Sequence, residues 1–386
     1  MGATRAVIAG AYGWANLGDD ALMLANLQAL RSVFADEEMA LYCNDAPYVS
    51  RFAPGIRVIP NNPWQIPKAQ LLVYGGGTQF YSFAQSRRAR PSLFTRLIRA
   101  VSSPQRAVRL LARRITPLGP QFAKRAALGV GIGPFGADLS AERRTRTLFE
   151  SMDFIAARDA DSYACCKDWG LDDRARLGSD LCFIGELWGQ EPQDRAGGKG
   201  AGSGAAIVIR DWPHDREGGA FEAPLLATVD RLRADGLAPT FFSFSARTDP
   251  QWIQRLRARG YSLSVWDPDR STVAQFVGQL ARHDLIVTAR YHGAVFAAAS
   301  GKPVICVEVE PKLRLAAEAL DSAEWLWRRP FSAAELRRVI AQTLNNPAQA
   351  GEIVARAAQR QRAAAEAMMR EFLEFVRADC GGAARA

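Results

Sequence analysis

Short apolar runs alternate with amphipathic stretches along most of the chain. The runs 5–10, 39–43, 57–59, 70–74, 127–132 and 154–157 are bounded by Gly, Pro, Asn or Asp, the pattern of buried strands. Leu22, Leu24, Leu27 and Leu30 recur at helical spacing after the first run, with Asp19 or Asp20 as the expected N-cap. Helices are also predicted over 141–152 and from Asp161 or Ser162 onward. After residue 204 the alternation resumes. Strands over 205–209, 239–244, 262–265, 285–288 and 304–307 are separated by helices over 221–234, 252–259, 272–281 and 294–300. Helices over 332–344 and from 348 to about 377 end the chain. Strand–helix–strand repeats need right-handed crossovers and parallel sheets. The expected fold class is therefore α/β. It consists of two facing Rossmann-like domains, 1–190 and 205–345, with a cleft between them. A polar, glycine-rich linker covers 191–204, and a helix in 346–386 crosses back to the first domain.

One segment breaks the alternation. Between residues 79 and 137 there are 11 Lys and Arg and no Asp or Glu. Leu93, Phe94, Leu97, Ile98 and Val101 fall at helical spacing among them. A basic helical insertion near 85–126 is expected, suited to an anionic membrane surface. A nucleic-acid arm and a solvated surface helix are the alternatives, and no nucleic-acid recognition motif accompanies it.

The length of 386 residues fits two domains, and 48% hydrophobic with 23% charged residues is ordinary for a globular chain. The net charge of +9 comes from the basic segment, since the rest of the chain is slightly acidic. There is no apolar run of transmembrane length, and only Arg5 precedes the first short apolar run, so neither a membrane span nor a signal peptide is expected. Cys43, Cys165, Cys166, Cys182, Cys306 and Cys380 lack metal-ligand spacing and read as small buried hydrophobes. A reducing cytoplasm is the expected compartment, and no metal or cofactor is expected.

The candidate chemistry sits at strand ends. In 284–312 a buried strand is followed by Arg290-Tyr291-His292-Gly293 and a small-residue helix. Ligands of parallel sheets bind at the carboxyl ends of the strands, where helix N-termini add N–H donors and partial positive charge. Arg290 and His292 there form a site for a small anion; alternatively Arg290 pairs with an acidic neighbour and His292 caps the helix. Arg210 also follows a strand, so if the two strands are neighbours both guanidiniums enter the cleft. Gly10, Gly13 and Gly18 make a glycine-rich turn that is not GxGxxG, so a dinucleotide is a weak reading. Gly75, Gly76 and Gly77 form a second turn that a sugar can approach closely. Of three histidines, His283 precedes its strand, His214 lies in a polar loop, and His292 is best placed.

Taken in order, the motifs resemble the polysaccharide pyruvyltransferase family. They are Gly10-Ala11-Tyr12-Gly13 with Asn16, Gly18 and Asp19; Gly75 to Gly77; Gly131-Ile132-Gly133-Pro134; and Arg158-Asp159 with Ser162. Ser179-Asp180, Arg210-Asp211-Trp212, Arg290-x-His292, Gly301-x-Pro303 and Pro311-Lys312 follow, so the resemblance covers roughly residues 5–315. One departure is Val309, where the family often has Tyr. The resemblance implies a GT-B-like fold. It also implies transfer of pyruvate from phosphoenolpyruvate onto two hydroxyls of one sugar of a cell-surface polysaccharide or its lipid-linked precursor, giving a cyclic ketal. No nucleotide cofactor and no metal are implied, and the reaction is placed in the cytoplasm or on the inner face of the membrane. Arg210 and Arg290 then clamp the donor, and His292 is the acid/base. Lys312 neutralises the leaving phosphate, and Asp180 is a second catalytic candidate. Asn16, Asp19, Gly76 and Gly77 contact substrate. The competing expectations are a GT-B glycosyltransferase using a nucleotide sugar, with Glu308 or Glu310 on the ribose, and a non-catalytic membrane-associated assembly component.

Overall fold

The computed structural model describes residues 3–60, 67–82, 122–191, 204–237 and 239–380. The strands are β1 (Ala6–Ala9), β2 (Met39–Cys43), β3 (Arg57–Pro60), β4 (Ala69–Phe80), β5 (Phe122–Ile132), β6 (Phe154–Ala157) and β7 (Ala175–Leu177) in the first half. The second half has β8 (Ala205–Ile209), β9 (Thr240–Ser243), β10 (Leu263–Val265), β11 (Leu285–Thr288) and β12 (Val304–Cys306). They form two sheets ordered β3-β2-β1-β4-β5-β6-β7 and β10-β9-β8-β11-β12, and every pairing between named strands is parallel. Helices cover both faces, which is why β1, β6, β8 and β11 are buried along their whole lengths and appear in the sequence as unbroken apolar runs.

The strand orders locate the cleft. Order reverses around β1 and β4 in one sheet and around β8 and β11 in the other, and ligands of such sheets bind outside these switch points. Helix α1 (Leu17–Leu30) leaves β1, and α2 (Tyr291–Ala299) leaves β11. Helix α3 (Pro311–Ala319) follows β12. The pairing of β8 with β11 brings Arg210 and Arg290 to one sheet edge, as the sequence condition required.

The long C-terminal helix α4 (Pro347–Cys380) ties the two halves together. Near its start, Gly351 lies against the Gly301 carbonyl, and a Cβ there would come within 3.0 Å. Farther on, Phe372 and Phe375 meet Phe154 at ring-centroid distances of 5.8 and 5.4 Å. Met368 covers Gly178 so closely that a Cβ would lie 2.2 Å from its sulfur. The Cys380 carbonyl accepts a 2.6 Å hydrogen bond from Arg5.

Several local expectations are corrected. Asn16, not Asp19 or Asp20, caps α1, its Oδ1 accepting from the Gly18 N–H at 3.2 Å. The triple glycine is not a loop: β4 continues through it, pairing Gly75 with Leu128 and Gly77 with Val130. Residues 122–126, assigned to the basic helical insertion, begin β5, while 83–121 lie outside the described residues. The linker residues 192–203 also lie outside them. Asp159 caps the helix expected to start at Asp161 or Ser162. Helix α3 and strand β7 were not anticipated.

The halves also meet beside α1. The Leu17 N–H donates to the Phe244 carbonyl at 2.9 Å, and Arg247 donates to the Gly13 carbonyl at 3.0 Å and to Asp45 at 2.7 Å. Asp20 is buried between them, its Oδ2 accepting from Tyr48 at 2.5 Å and from the Trp266 indole at 2.8 Å. Burial pushes this carboxyl up to about 7, against the two donors that favour the anion. The native state therefore holds a proton that the unfolded chain releases near pH 4, so stability falls as pH rises toward 7. Wild-type melting temperature is expected to drop between pH 5 and 8, and Asp20→Asn to flatten that slope. An unchanged slope in scanning calorimetry of the variant would contradict this.

Candidate active site

A cleft of about 690 Å³ opens at the switch points and is lined by both halves, including Asn16, Asp19, Arg158, Arg210, Arg290, His292 and Lys312. Its second-half wall is cationic. Arg290, 8% exposed, is anchored by Nε to the Ile209 carbonyl at 3.0 Å and by Nη2 to Thr248 Oγ1 at 2.9 Å and to buried Asp249. The acidic-neighbour alternative is thus correct for Nη2. Nη1 makes no bond among the described residues and is left for the cleft. Asp249 is itself held by Ser243 Oγ at 2.9 Å and by the Asp211 N–H at 3.2 Å.

Arg210 lies over the Trp212 ring, 4.7 Å from its centroid, and Nη1 donates to Glu310. Lys312 Nζ lies 2.9 Å from the same Glu310 carboxylate. Burial opposes ionisation of Glu310, but Lys312 and Arg210 hold it below the usual carboxylate range. Burial pushes the Lys312 amine down to about 8; Arg210 and Arg158 push the same way, and Glu310 opposes them. The N-termini of α2 and α3 open on this wall, adding N–H donors and partial positive charge.

His292 stands at the second position of α2, 12% exposed, against the start of α1. A Cβ on Gly18 would lie 2.2 Å from its Nδ1, so the two helix starts can approach this closely only with glycine there. His292 Nε2 lies 3.5 Å from Asp180 Oδ2, a charge contact rather than an aligned hydrogen bond. Asp180 is fully buried and also receives Arg158 Nη1 at 3.2 Å and the Cys182 N–H at 3.0 Å. Burial opposes its ionisation, yet His292, Arg158 and the Cys182 N–H hold it down at about 2. Asp180 therefore does not reach the cleft lining; it touches two residues that do, His292 and Arg158. Arg158 stacks on Tyr291, 4.1 Å from the ring centroid. Asp19 faces the cleft. Burial raises its pKa, and His292, Lys312, Arg290 and Arg158 pull the other way.

The structure brings Asn16, Asp19, Arg210, Arg290, His292 and Lys312 together and places Asp180 one layer behind. It does not bring Gly76 and Gly77 to the cleft lining. A Cβ on Gly76 would strike Leu22 at 2.7 Å and one on Gly77 would sit 3.4 Å from Asp19, so these glycines admit α1 rather than a sugar. His214 lines the cleft too, edge-on to Trp212, and His283 lies against Phe242. Of the organising residues, Asp249 was not singled out from sequence, Arg158 was named only within a family motif, and Glu310 only as a possible ribose contact. Asp180, Cys182 and His292 offer ligand atoms within 4.8 Å of one another, as a metal would need, but Arg158 already supplies the cation at Asp180.

The sequence pattern of the family described as "Polysaccharide pyruvyl transferase" matches residues 16–311. The chain belongs to this family. Membership assigns transfer chemistry on polysaccharides, and the matched span begins at Asn16 and ends at Pro311, next to Lys312. No curated protein matches the sequence. Among solved structures, S. aureus MnaA with UDP superposes with a TM-score of 0.59 at 10% identity, covering 97% of this chain and 96% of that one. Anabaena Alr3699/HepE with UDP gives 0.57 at 11%, covering 97% and 100%. A glycosyltransferase from Rickettsia africae gives 0.51 at 11%, covering 98% and 100%. At such identities the likeness shows the fold alone, two facing Rossmann-like domains of the GT-B type. No helix among the described residues is long and apolar enough to cross a membrane.

Proposed function

We propose that this family member transfers the pyruvyl group of phosphoenolpyruvate to two hydroxyls of one sugar in a polysaccharide or its lipid-linked precursor, forming a cyclic ketal. The observation that carries this reading is the gathering of Arg210, Arg290, Lys312 and two helix N-termini on one wall of a small cleft beside His292. Phosphoenolpyruvate presents a carboxylate and a phosphate on a frame short enough for that wall to hold both.

The facing wall differs in chemistry. Trp14 and Tyr81 are the exposed aromatic residues among the described large hydrophobics, and both line this cleft with Asn16, Asp19 and Gln79. Aromatic faces and neutral hydrogen-bonding groups suit a sugar. The acceptor is therefore placed on the first half and the donor on the second.

Protonation of the donor's methylene carbon makes C2 electrophilic, and a sugar hydroxyl adds there. His292 Nε2 is buried beside Asp180, so the proton exchange with substrate is assigned to Nδ1, the nitrogen set against Gly18 at the start of α1. His292 gives its proton to the methylene carbon and receives the hydroxyl proton; ionised Asp180 orients the ring and stabilises the imidazolium. The positive charge of the 85–126 segment supports work at an anionic membrane surface, where a lipid-linked acceptor would be found.

The nucleotide-sugar reading has the shared fold in its favour, but Glu310 is occupied by Arg210 and Lys312 and is not available to a ribose. The test is incubation with phosphoenolpyruvate and envelope saccharides. Phosphate release matched by a pyruvate-sized mass gain in the acceptor is the expected outcome; transfer of a hexose from a nucleotide sugar instead would reject it.

A further inference from the structure

Making a ketal removes a proton from each of two hydroxyls, and His292 accounts for only one exchange. We propose that Lys312 is the second proton-transfer group of the reaction, giving a proton to the departing phosphate and then taking one from the second hydroxyl. This rests on the phosphoenolpyruvate reading above.

The placement of Lys312 supports it. The residue stands at the second position of α3 and lines both the main cleft and a side cavity of about 330 Å³. The carboxylate in contact with it, Glu310, is shared with Arg210, so two cations divide one counter-charge. The other charged groups acting on this region are Arg158 from the end of β6, Asp19 from α1 and His214 from the loop after β8, with Asp159, Asp161 and Asp168 lining the side cavity. Burial and the two guanidiniums together outweigh Glu310, which is why the amine falls to about 8. A lysine so placed can release its proton near neutral pH, whereas Arg210 and Arg290 cannot.

The proton count closes. In the first stage the proton of His292 goes to the methylene carbon, the first hydroxyl oxygen bonds to C2, and its proton returns to His292. In the second stage the bond from C2 to the phosphate oxygen breaks, and the electron pair leaves with that oxygen, which takes the proton of Lys312. The second hydroxyl then bonds to the resulting oxocarbenium carbon and passes its proton to the neutral amine. The products are the ketal and inorganic phosphate, and both proton carriers are restored.

Lys312→Arg separates this role from charge neutralisation, because it keeps a cation without a transferable proton. Phosphoenolpyruvate affinity by calorimetry is expected to stay within a few-fold of wild type, while steady-state phosphate release falls about a hundred-fold or more. Glu310→Gln is the second variant. Removing the carboxylate favours the neutral amine, and the cycle starts from the protonated one, so the alkaline limb of the kcat profile is expected to move to lower pH. Near wild-type turnover by Lys312→Arg, or an alkaline limb unmoved in Glu310→Gln, would overturn the proposal. Failure of the wild-type protein to bind phosphoenolpyruvate is a different result and would remove the reading on which it rests.

Discussion

His292→Gln is expected to lose nearly all turnover, about a hundred- to ten-thousand-fold in kcat, while phosphoenolpyruvate affinity changes only by a small factor. Glutamine keeps an amide donor in place of the imidazole but has no proton to exchange. The anion is carried by Arg210, Arg290 and Lys312, whose hydrogen bonds and ion pairs go to Glu310, the Ile209 carbonyl, Thr248 and Asp249 and not to His292. Loss of the ring also leaves Asp180 with Arg158 and the Cys182 N–H, so the buried carboxylate stays paired and the fold should persist. His283→Gln is the control, since that ring sits at the far end of β11 against Phe242 with Nδ1 3.2 Å from the Leu280 carbonyl. Steady-state phosphate release on variants with wild-type circular dichroism separates the two. A His292→Gln enzyme with near wild-type turnover would leave this histidine as a packing residue at the start of α2.

Arg290→Lys should fail differently. The guanidinium reaches the Ile209 carbonyl, Thr248 and Asp249 at once and still presents Nη1, a geometry that one ammonium cannot reproduce. Charge-assisted hydrogen bonds are worth roughly 1.5–3 kcal/mol, so the apparent constant for phosphoenolpyruvate is expected to rise about ten- to a hundred-fold, with kcat much less affected. Asp249, fully buried, would lose part of its pairing, so the melting temperature should fall as well. Saturation curves for the donor, measured beside thermal melts, check both. An unchanged donor constant would mean that Arg290 is only a structural partner of Asp249.

Much of the frame was legible because parallel strands buried on both faces leave unbroken apolar runs, as at 205–209 and 285–288. Residues immediately following such runs were legible as cleft residues for the same reason, which is how Arg210, Arg290 and His292 could be chosen. The triple glycine misled because glycine is the commonest turn signal. Only pairing with Leu128 and Val130 shows that the strand continues. The cap of α1 was ambiguous because Asn16, Asp19 and Asp20 are all capping residues within one turn. Helix α3 had a signal that was passed over, Pro311 at its first position and Leu313, Ala316, Ala317 and Leu320 at helical spacing. Asp249 had none, and Glu310 was legible only as a possible ribose contact, not as the partner of Arg210 and Lys312. Their roles depend on which cation the fold brings to them across 41 and 100 residues of chain, and no local pattern encodes that.

The central claim is that the cationic wall of the cleft holds phosphoenolpyruvate as donor. Isothermal calorimetry of the wild-type protein with phosphoenolpyruvate and, separately, with UDP tests it most directly, repeated on Arg210→Ala. Saturable binding of phosphoenolpyruvate that is weakened in the variant, with no heat from UDP, is the predicted result. Tight binding of UDP with none of phosphoenolpyruvate would contradict the claim and place the protein with nucleotide-sugar enzymes.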